Sequence, residues 1–357
     1  MKVVFYITNH GFGHASRNVP IIKKLLDASS TNTVAIKSDE RICDFLKRNL
    51  SSLRISYYTD CRDVGLILHE GTAIPDENAM LEAIRMDKAR WPSYITREKE
   101  FLASFAPNVV VCDVMAWPIQ AAHDLGIKTL LIGNFSWAEM YRSFYPPEIY
   151  SHYLSCYRLA DKALWYEIHS PELHDYCSDY ECISMVSRAH NDTIIADIQT
   201  SSAMPKVFVS LGASVDLSSP IDVSSLPYTF FVTRGITLVG DNVVTLPLDM
   251  VNTPDYIRAC DYVIAKGGWS TVAEILLAGK KSALLVRGSN IEDQITAQVL
   301  SSRSQAVMIN EEDLSDIGAL ISRIDALQGK NYDFYHDDTV YICGIIKMMA
   351  CASKEEL

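Results

Sequence analysis

Two histidines and an arginine are concentrated in one short, glycine-containing segment near the start of the chain. His10, His14 and Arg17 lie in the run 9–17, directly after the apolar segment 3–7. An imidazole held at the end of a strand is a suitable general base near neutral pH. A histidine can equally be structural in such a turn, so both interpretations stay open. The run has neither the Gly-x-Gly-x-x-Gly pattern nor the lysine of a P-loop, which argues against dinucleotide binding or NTP hydrolysis.

A second candidate site follows the apolar segment 262–265. Gly267, Gly268, Ser270 and Thr271 come next, and Glu274 lies one helical turn further on. Two glycines let the backbone approach a ligand closely, and the start of the next helix offers N–H groups that suit a diphosphate. The Glu274 carboxylate could then accept hydrogen bonds from ribose hydroxyls. The order Thr-x-x-Glu also fits a capping box, which needs no ligand, and the two roles are compatible.

Further polar residues lie at the ends of other predicted strands. Asp113 follows the segment 109–112, where it could orient a base or cap the next helix. Gly212 and Ser214 could face a phosphate, although a plain strand-to-helix turn is the simpler interpretation of their segment. Asp293 and Gln294 begin a later helix, where they could bind sugar hydroxyls or where the acid could complement the helix dipole.

Four other residues raise the question of a metal site. His169, His174, Cys177 and Cys182 are separated by five, three and five positions. These spacings match no common zinc pattern, so we expect no metal. The aromatic residues of 134–166 could stack on an acceptor, but packing between helices is the simpler interpretation.

Alternating apolar strands and amphipathic helices must position these residues. The predicted strands are 3–7, 109–112, 129–132, 207–212, 229–233, 243–246, 262–265 and 283–286. The predicted helices are 17–26, 271–277, 292–300 and 338–352. This alternation indicates βαβ units and parallel sheets, which bind ligands at the carboxyl ends of their strands.

The strand pattern restarts after a polar stretch near 190–205, which predicts two doubly wound domains. We expect a first domain at 1–195, a second at 196–337, and a C-terminal helix at 338–357 that packs back on the first. The 357 residues are 48% hydrophobic and 21% charged, and 32 basic against 44 acidic residues give a net charge of −12. Such a surface disfavours binding of nucleic acid or anionic membranes. Nine scattered cysteines without a Cys-x-x-Cys pair indicate a reducing, cytoplasmic location.

The combined pattern resembles the GT-B glycosyltransferases, which use nucleotide sugars. The run 267–274, with Asp293 and Gln294 about twenty residues on, is similar to the donor site of the UDP-sugar transferases, including the peptidoglycan N-acetylglucosaminyltransferase group. The N-terminal, glycosyltransferase-like half of plant L-arabinokinase resembles the chain more closely still, from residue 2 to about 310. The shared first-domain positions include His10, Gly11, Phe12, Gly13, His14, Arg17, Asp60, Cys61, Asp113 and the run 134–137.

This resemblance implies an α/β chain with two Rossmann-like domains facing across a cleft. A UDP-type nucleotide would lie on the second domain, with Glu274 at its ribose and Asp293 and Gln294 at the donor sugar. The residues facing its phosphates would be Gly267, Gly268, Ser270 and Thr271. The UDP-sugar is a co-substrate, and no cofactor or metal is expected. Peptidoglycan-type enzymes have a basic, membrane-facing first domain, whereas this acidic chain indicates a small-molecule or soluble glycan acceptor.

The predicted function is therefore glycosyl transfer to a soluble acceptor, with His14 as general base and Asp113 as its partner. One alternative is a nucleotide-sugar hydrolase of the same fold, because a hydrolase of the pseudaminic acid pathway has a similar first loop. Another is a non-catalytic nucleotide-sugar sensor or scaffold, since fold alone does not decide function. Sugar release from UDP-sugars without acceptor would indicate the hydrolase.

Overall fold

The computed structural model describes residues 1–70, 74–211, 217–233, 235–247, 250–286, 290–328 and 332–352. The chain forms two compact units. Unit 1 contains Met1–Met185 and Asp337–Leu357, and unit 2 contains Val186–His336. No helix within the described ranges is both long enough and apolar enough to cross a membrane.

Unit 1 is built on a seven-stranded sheet in the spatial order β3-β2-β1-β4-β5-β6-β7, with every neighbouring pair parallel. Its strands are β1 (Lys2–Ile7), β2 (Thr33–Lys37), β3 (Ile55–Tyr58), β4 (Val109–Asp113), β5 (Thr129–Gly133), β6 (Lys162–Tyr166) and β7 (Tyr180–Ile183). The central strands are nearly continuous buried runs because helices cover both faces. The strand order changes direction between β1 and β4, which makes their carboxyl ends the switch point where ligands bind in such sheets.

The helices of unit 1 are α1 (Phe12–Ala28), α2 (Glu40–Asn49), α3 (Glu77–Phe105), α4 (Trp117–His123), α5 (Trp137–Arg142), α6 (Pro147–Tyr157) and the C-terminal α12 (Thr339–Ala352). A short 3-10 helix, Pro171–Asp175, connects β6 to β7. α12 packs on α1, and the Cys343 thiol donates to the Ile21 carbonyl at 3.5 Å. The Ser184 amide also donates to Asp338 Oδ2 at 2.6 Å. These contacts attach the end of the chain to unit 1.

Unit 2 has a six-stranded parallel sheet in the order β12-β10-β8-β13-β14-β15 and a separate pair, β11-β9. Its strands are β8 (Lys206–Ser210), β9 (Leu217–Asp222), β10 (Thr229–Val232), β11 (Ile236–Val239), β12 (Val243–Thr245), β13 (Tyr262–Lys266), β14 (Lys281–Leu285) and β15 (Ala306–Ile309). Its helices are α7 (Asp192–Thr200), α8 (Thr253–Ala259), α9 (Trp269–Leu277), α10 (Ile291–Ser302) and α11 (Ile317–Asp325). The buried core includes Phe230, Ile264 and Leu320. The switch point lies between β8 and β13.

The two units meet in sequence at Met185, ten positions before the expected end of the first domain. The polar stretch after 190 belongs to unit 2 because α7 packs on α8. At the start of α7, the Asn191 amide donates to Asp255 Oδ1 at 2.7 Å. The boundary therefore follows packing and hydrogen bonding more closely than the local change in composition.

Candidate functional site

The switch point of unit 1 gathers the polar residues predicted for the first site. β1 and β4 pair with Ile7 opposite Asp113. α1 begins directly after its N-cap, Gly11, whose φ of 86° and ψ of 164° are accessible essentially to glycine alone. His14 and Arg17 therefore lie in the first turns of α1, three residues apart and on one face. We predicted that the whole run 9–17 is a turn before a helix. This is wrong for residues 12–17, which already belong to α1.

His14 and Asp113 form a buried pair. The His14 Nδ1 atom lies 2.8 Å from Asp113 Oδ1. The carboxylate only accepts hydrogen bonds, so this contact favours a proton on Nδ1 and a lone pair on Nε2, although Arg17 Nη2, which only donates, also lies 2.9 Å from Nδ1. The imidazole also makes an edge contact with Phe135, with ring centroids 5.6 Å apart. The residue is only 4% exposed, a burial that the sequence does not predict.

Arg17 and Asn18 hold the same carboxylate from other directions. Arg17 donates to Asp113 through Nε at 2.8 Å and through Nη2 at 2.5 Å, and Asn18 Nδ2 donates to it at 2.5 Å. Burial by itself raises the pKa of Asp113, but the charges of Arg17 and His14 outweigh burial and lower it to about 2. Arg17 Nη1 also donates to Asn134 at 2.6 Å. Asp113 is therefore ionised at neutral pH and fixed in orientation.

A second buried carboxylate, Asp63, lies against the loop that precedes α1. Trp137 Nε1 donates to Asp63 Oδ2 at 2.8 Å, and the Asp63 amide donates to Asn9 Oδ1 at 2.7 Å. Burial raises the pKa of Asp63 to about 7, although the bond from Trp137 acts in the opposite direction. His10 packs edge-on against Trp137 at 5.2 Å. The sequence singles out His10 but misses Asp63, whose environment arises from residues far away in the chain.

Two cavities lie in unit 1 beyond the carboxyl ends of its strands. The larger, of about 680 Å³, is lined by Asp39, Glu40, Arg41, Asp44, Thr59, Asp60, Arg62, Tyr94, Arg97, Glu98 and Trp117. The smaller, of about 310 Å³, shares Arg62 and Tyr94 with it and is also lined by Asn9 and Asp63. The cavities therefore extend from the ends of β2 and β3 to the loop before α1, and their walls carry charges of both signs.

Glu98, in the wall of the larger cavity, belongs to a buried ion pair. Lys37 Nζ donates to Glu98 Oε2 at 2.7 Å, and the Tyr6 hydroxyl donates to Glu98 Oε1 at 2.5 Å. The Lys37 ammonium also lies 4.2 Å from the centroid of the Phe101 ring. No local pattern in the sequence predicts this group, because its members come from β1, β2 and α3.

The second predicted site lies where β13 leads into α9. Gly268 is the N-cap of α9, and the Gly267 amide donates to the Leu285 carbonyl at 2.9 Å. The Gly267 amide is therefore engaged within the protein, and the prediction that Gly267 faces a diphosphate stays a prediction. An added Cβ at Gly267 would lie 3.4 Å from the Leu285 oxygen, and one at Gly268 would lie 3.6 Å from Lys266 Cε. Both are ordinary contacts, so packing within the protein does not itself require two glycines here.

Glu274 is bound by an arginine that the sequence analysis misses. Arg188 donates to Glu274 through Nε at 2.9 Å and through Nη2 at 3.3 Å; Glu274 is buried and Arg188 is partly buried. Arg188 also donates to the Val251 carbonyl at 2.7 Å. The capping-box interpretation is wrong, because Thr271 lies inside the helix and its amide donates to the Gly268 carbonyl. Glu274 is instead the ion-pair partner of Arg188.

The other residues predicted for the second site have different environments. Asn290 caps α10 by accepting from the Glu292 and Asp293 amides at 2.9 and 3.3 Å. The Asp293 side chain is fully buried, whereas Gln294 is exposed. Ser270 is buried and Thr271 is half-buried in the first turn of α9. Gly212 and Ser214 lie outside the described residues.

Three of the four residues considered for a metal come together between β6 and β7. Side-chain atoms of His169, His174 and Cys182 lie within 4.8 Å of one another. Cys177 is not part of this group, because its thiol donates to the Ala160 and Asp179 carbonyls at 3.4 and 3.2 Å. The spacing in the sequence did not indicate this cluster.

Comparison with known proteins agrees with the resemblance stated from the sequence. Residues 231–339 match the glycosyltransferase family 28 C-terminal domain. The chain is 26% identical over 292 residues to L-arabinokinase of Arabidopsis thaliana, and the matched stretch covers 76% of this chain and 27% of that protein. It is 28% identical over 130 residues to the UDP-N-acetylglucosamine--N-acetylmuramyl-(pentapeptide) pyrophosphoryl-undecaprenol N-acetylglucosamine transferase of Halalkalibacterium halodurans, covering 30% of this chain and 36% of that protein. The chain thus spans about a third or less of the length of these curated relatives.

Solved glycosyltransferases share the fold over nearly the whole chain. The glycotransferase of kitacinnamycin has a TM-score of 0.63 at 13% identity and covers 98% of each chain. A Streptomyces glycosyltransferase complexed with thymidine diphosphate has a TM-score of 0.57 at 13% identity, covering 98% of this chain and 99% of that one. UDP-glucose: anthocyanidin 3-O-glucosyltransferase in complex with UDP has a TM-score of 0.59 at 10% identity, covering 99% and 96%. The predicted α/β, two-domain GT-B fold is confirmed.

Proposed function

We propose that this chain transfers a sugar from a nucleotide sugar, with UDP as the nucleotide, to a soluble acceptor. We further propose that His14 is the general base and that no metal takes part in the reaction. The observation that carries the proposal is the oriented pair of His14 and Asp113 at the switch point of unit 1. Unit 2 adds support because it contains most of the residues, 231–339, that match the glycosyltransferase family 28 C-terminal domain.

The nucleotide binds in this proposal at the start of α9. The positive end of the helix dipole and the first-turn amides favour an anionic diphosphate. Packing within the protein does not require either Gly267 or Gly268, and the lack of a side chain at both positions lets a ligand approach the backbone closely. UDP is the nucleotide named in one relative, the transferase of Halalkalibacterium halodurans. Ser270 and Thr271 remain proposed phosphate contacts, and Gln294 remains a proposed sugar contact on an exposed position.

The reaction couples proton removal to loss of the diphosphate. An acceptor hydroxyl attacks the anomeric carbon, the bond from that carbon to the diphosphate oxygen breaks, and His14 Nε2 takes the hydroxyl proton. Asp113 accepts from Nδ1 and stabilises the imidazolium that forms. The dipole of α9 stabilises the negative charge on the leaving UDP, which removes the need for a metal ion at that step. The buried Arg17 offsets part of the Asp113 charge and keeps the carboxylate ionised.

The acceptor in this proposal is small, polar and soluble. The cavities of about 680 and 310 Å³ in unit 1 have the size range of small-molecule sites. Arg41, Arg62 and Arg97 lie in the wall of the larger one together with several acidic residues. Such walls suit a hydroxylated or charged molecule better than a lipid chain.

All nine cysteines are free, which agrees with a reducing compartment such as the cytoplasm.

The test is a donor panel with the full chain, scored by release of nucleoside diphosphate. UDP-sugars and TDP-sugars are each incubated with and without a mixture of soluble sugars, glycosides and sugar phosphates. Release of UDP that requires an acceptor, with a matching glycosylated product, supports the proposal. Stoichiometric sugar release without acceptor would identify a hydrolase, and saturable UDP-sugar binding without turnover would identify a non-catalytic protein.

A further inference from the structure

The connection between β6 and β7 places two imidazoles and a thiol around one point. The Nε2 atoms of His169 and His174 are 2.9 Å apart. Cys182 Sγ lies 3.8 Å from the first of these nitrogens and 3.6 Å from the second. The three residues come from the loop after β6, the 3-10 helix and β7, so the fold itself brings them together. None of them belongs to the residues proposed for glycosyl transfer.

Both rings are held by contacts outside the cluster. His169 Nδ1 lies 2.8 Å from the Tyr166 carbonyl oxygen, which can only accept a hydrogen bond. Nδ1 therefore carries the proton, and the Nε2 lone pair of a neutral His169 points to the other two residues. His174 stacks on Tyr180, with centroids 4.4 Å apart and planes 14° from parallel. A backbone carbonyl on the remote ring nitrogen is the usual support of a metal-binding histidine.

The distances are close to those of a tetrahedral zinc site. Zinc bonds of about 2.0–2.1 Å to nitrogen and about 2.3 Å to sulfur imply ligand separations of about 3.3 Å for N···N and about 3.6 Å for N···S. The two N···S distances in the structure are 3.6 and 3.8 Å, and the N···N distance of 2.9 Å is short by a few tenths of an ångström. Small side-chain rotations are enough to accommodate the ion.

We propose that His169, His174 and Cys182 bind a zinc ion, with a fourth position open to water. Two imidazoles and a thiolate form a borderline-soft donor set that favours zinc over magnesium or calcium. The Cys182 thiol loses its proton on binding, and the residue is exposed, which provides a path for the ion. The ion joins the loop after β6 to β7. Because His169 Nδ1 is bonded to the Tyr166 carbonyl oxygen, the ion also fixes the backbone of Tyr166. The ring of Tyr166 lies 5.2 Å from the Arg17 guanidinium carbon.

The test uses the full-length chain, stripped with a chelator that is then removed. Zinc is titrated by calorimetry and by competition with a chromophoric chelator, and thermal unfolding is followed with and without zinc. We expect one zinc ion per chain and a Tm that rises with zinc concentration, because the ion binds the folded chain. Magnesium should have neither effect. Cobalt bound in place of zinc should show a sulfur-to-metal charge-transfer band.

Variants show whether the ion is at this cluster. Cys182→Ser and His174→Ala should each lose the bound zinc and the zinc-dependent rise in Tm. Cys351→Ser is the matched control, because Cys351 is also exposed but lies on α12, away from the cluster. Circular dichroism spectra of Cys182→Ser and His174→Ala, recorded without metal, should match the wild-type spectrum and so show that both variants are folded. Undiminished zinc binding in both variants, or no saturable binding by the wild-type chain, would overturn the proposal.

Discussion

Replacing the buried carboxyl of Asp63 with an amide should make the protein more stable at alkaline pH. Burial raises the pKa of Asp63 from its ordinary 3.8 to about 7. The folded state therefore binds a proton that the unfolded state has already lost, and stability falls as pH rises from about 4 to about 7. Asp63→Asn keeps the shape and the acceptor oxygen for Trp137 Nε1. It removes the charge that burial penalises and exchanges the other carboxylate oxygen for an amide nitrogen, a change that is the same at every pH.

The size of the effect follows from the two pKa values. Their difference, at 1.36 kcal/mol for each pH unit, corresponds to about 4 kcal/mol over the whole titration. Between about pH 5 and pH 8 the wild-type chain should lose about 3 kcal/mol of this contribution. The variant has no such carboxyl, so its stability advantage over the wild type should grow by the same amount across that range.

The assay is urea unfolding of wild type and Asp63→Asn in matched buffers at about pH 5, 6, 7 and 8. Only the difference between the two proteins is interpreted, because other groups titrate equally in both. Asp241→Asn is the matched control for the loss of one carboxylate, since Asp241 is exposed. A pH-independent difference for Asp63→Asn would show that this carboxyl is not buried as described and would refute the reasoning.

Three further predictions concern single contacts. Arg188→Ala should cost about 3–5 kcal/mol in urea unfolding because it leaves the buried Glu274 carboxylate without this partner, and adding Glu274→Gln should restore part of that loss. Gly11→Ala should lower the free energy of unfolding by about 1–3 kcal/mol, because alanine does not readily adopt the backbone angles of Gly11. Gly344→Ala should instead raise the free energy of unfolding by about 0.5–1 kcal/mol, because Gly344 lies inside α12 with open space around it. Gly268→Ala should leave the unfolding free energy nearly unchanged and weaken calorimetric UDP binding about tenfold, equivalent to about 1.4 kcal/mol; undiminished binding would remove Gly268 from the nucleotide site.

The central strands could be predicted from the sequence because both of their faces are buried. β1 and β4 are short, nearly continuous apolar runs, and such runs stand out from the helices that surround them. α3 was not predicted, since only a few of its 29 residues are buried and most of its surface is polar. β3 was also missed, because it is four residues long and half-buried over much of its length.

The candidate site was predictable in its residue types but not in its contacts. His14 and Asp113 were both placed at strand ends, yet their contact across 99 positions depends on β1 and β4 being neighbours in the sheet. Arg188 gave no local signal, because it lies in an irregular segment and acts only through its partner 86 residues away. The spacing of His169, His174 and Cys182 did not indicate a metal site, although the connection between the parallel strands β6 and β7 brings the three residues together.

The central claim is that His14 removes the acceptor proton during glycosyl transfer. The most direct measurement is the rate of UDP formation at saturating donor and acceptor for wild type and His14→Ala, together with the Kd of each protein for UDP. His123→Ala, an exposed histidine at the end of α4, is the matched control and should behave as wild type. His14→Ala should lower the turnover rate by about 10²–10⁴ and leave the Kd for UDP unchanged. An unchanged turnover rate would contradict it.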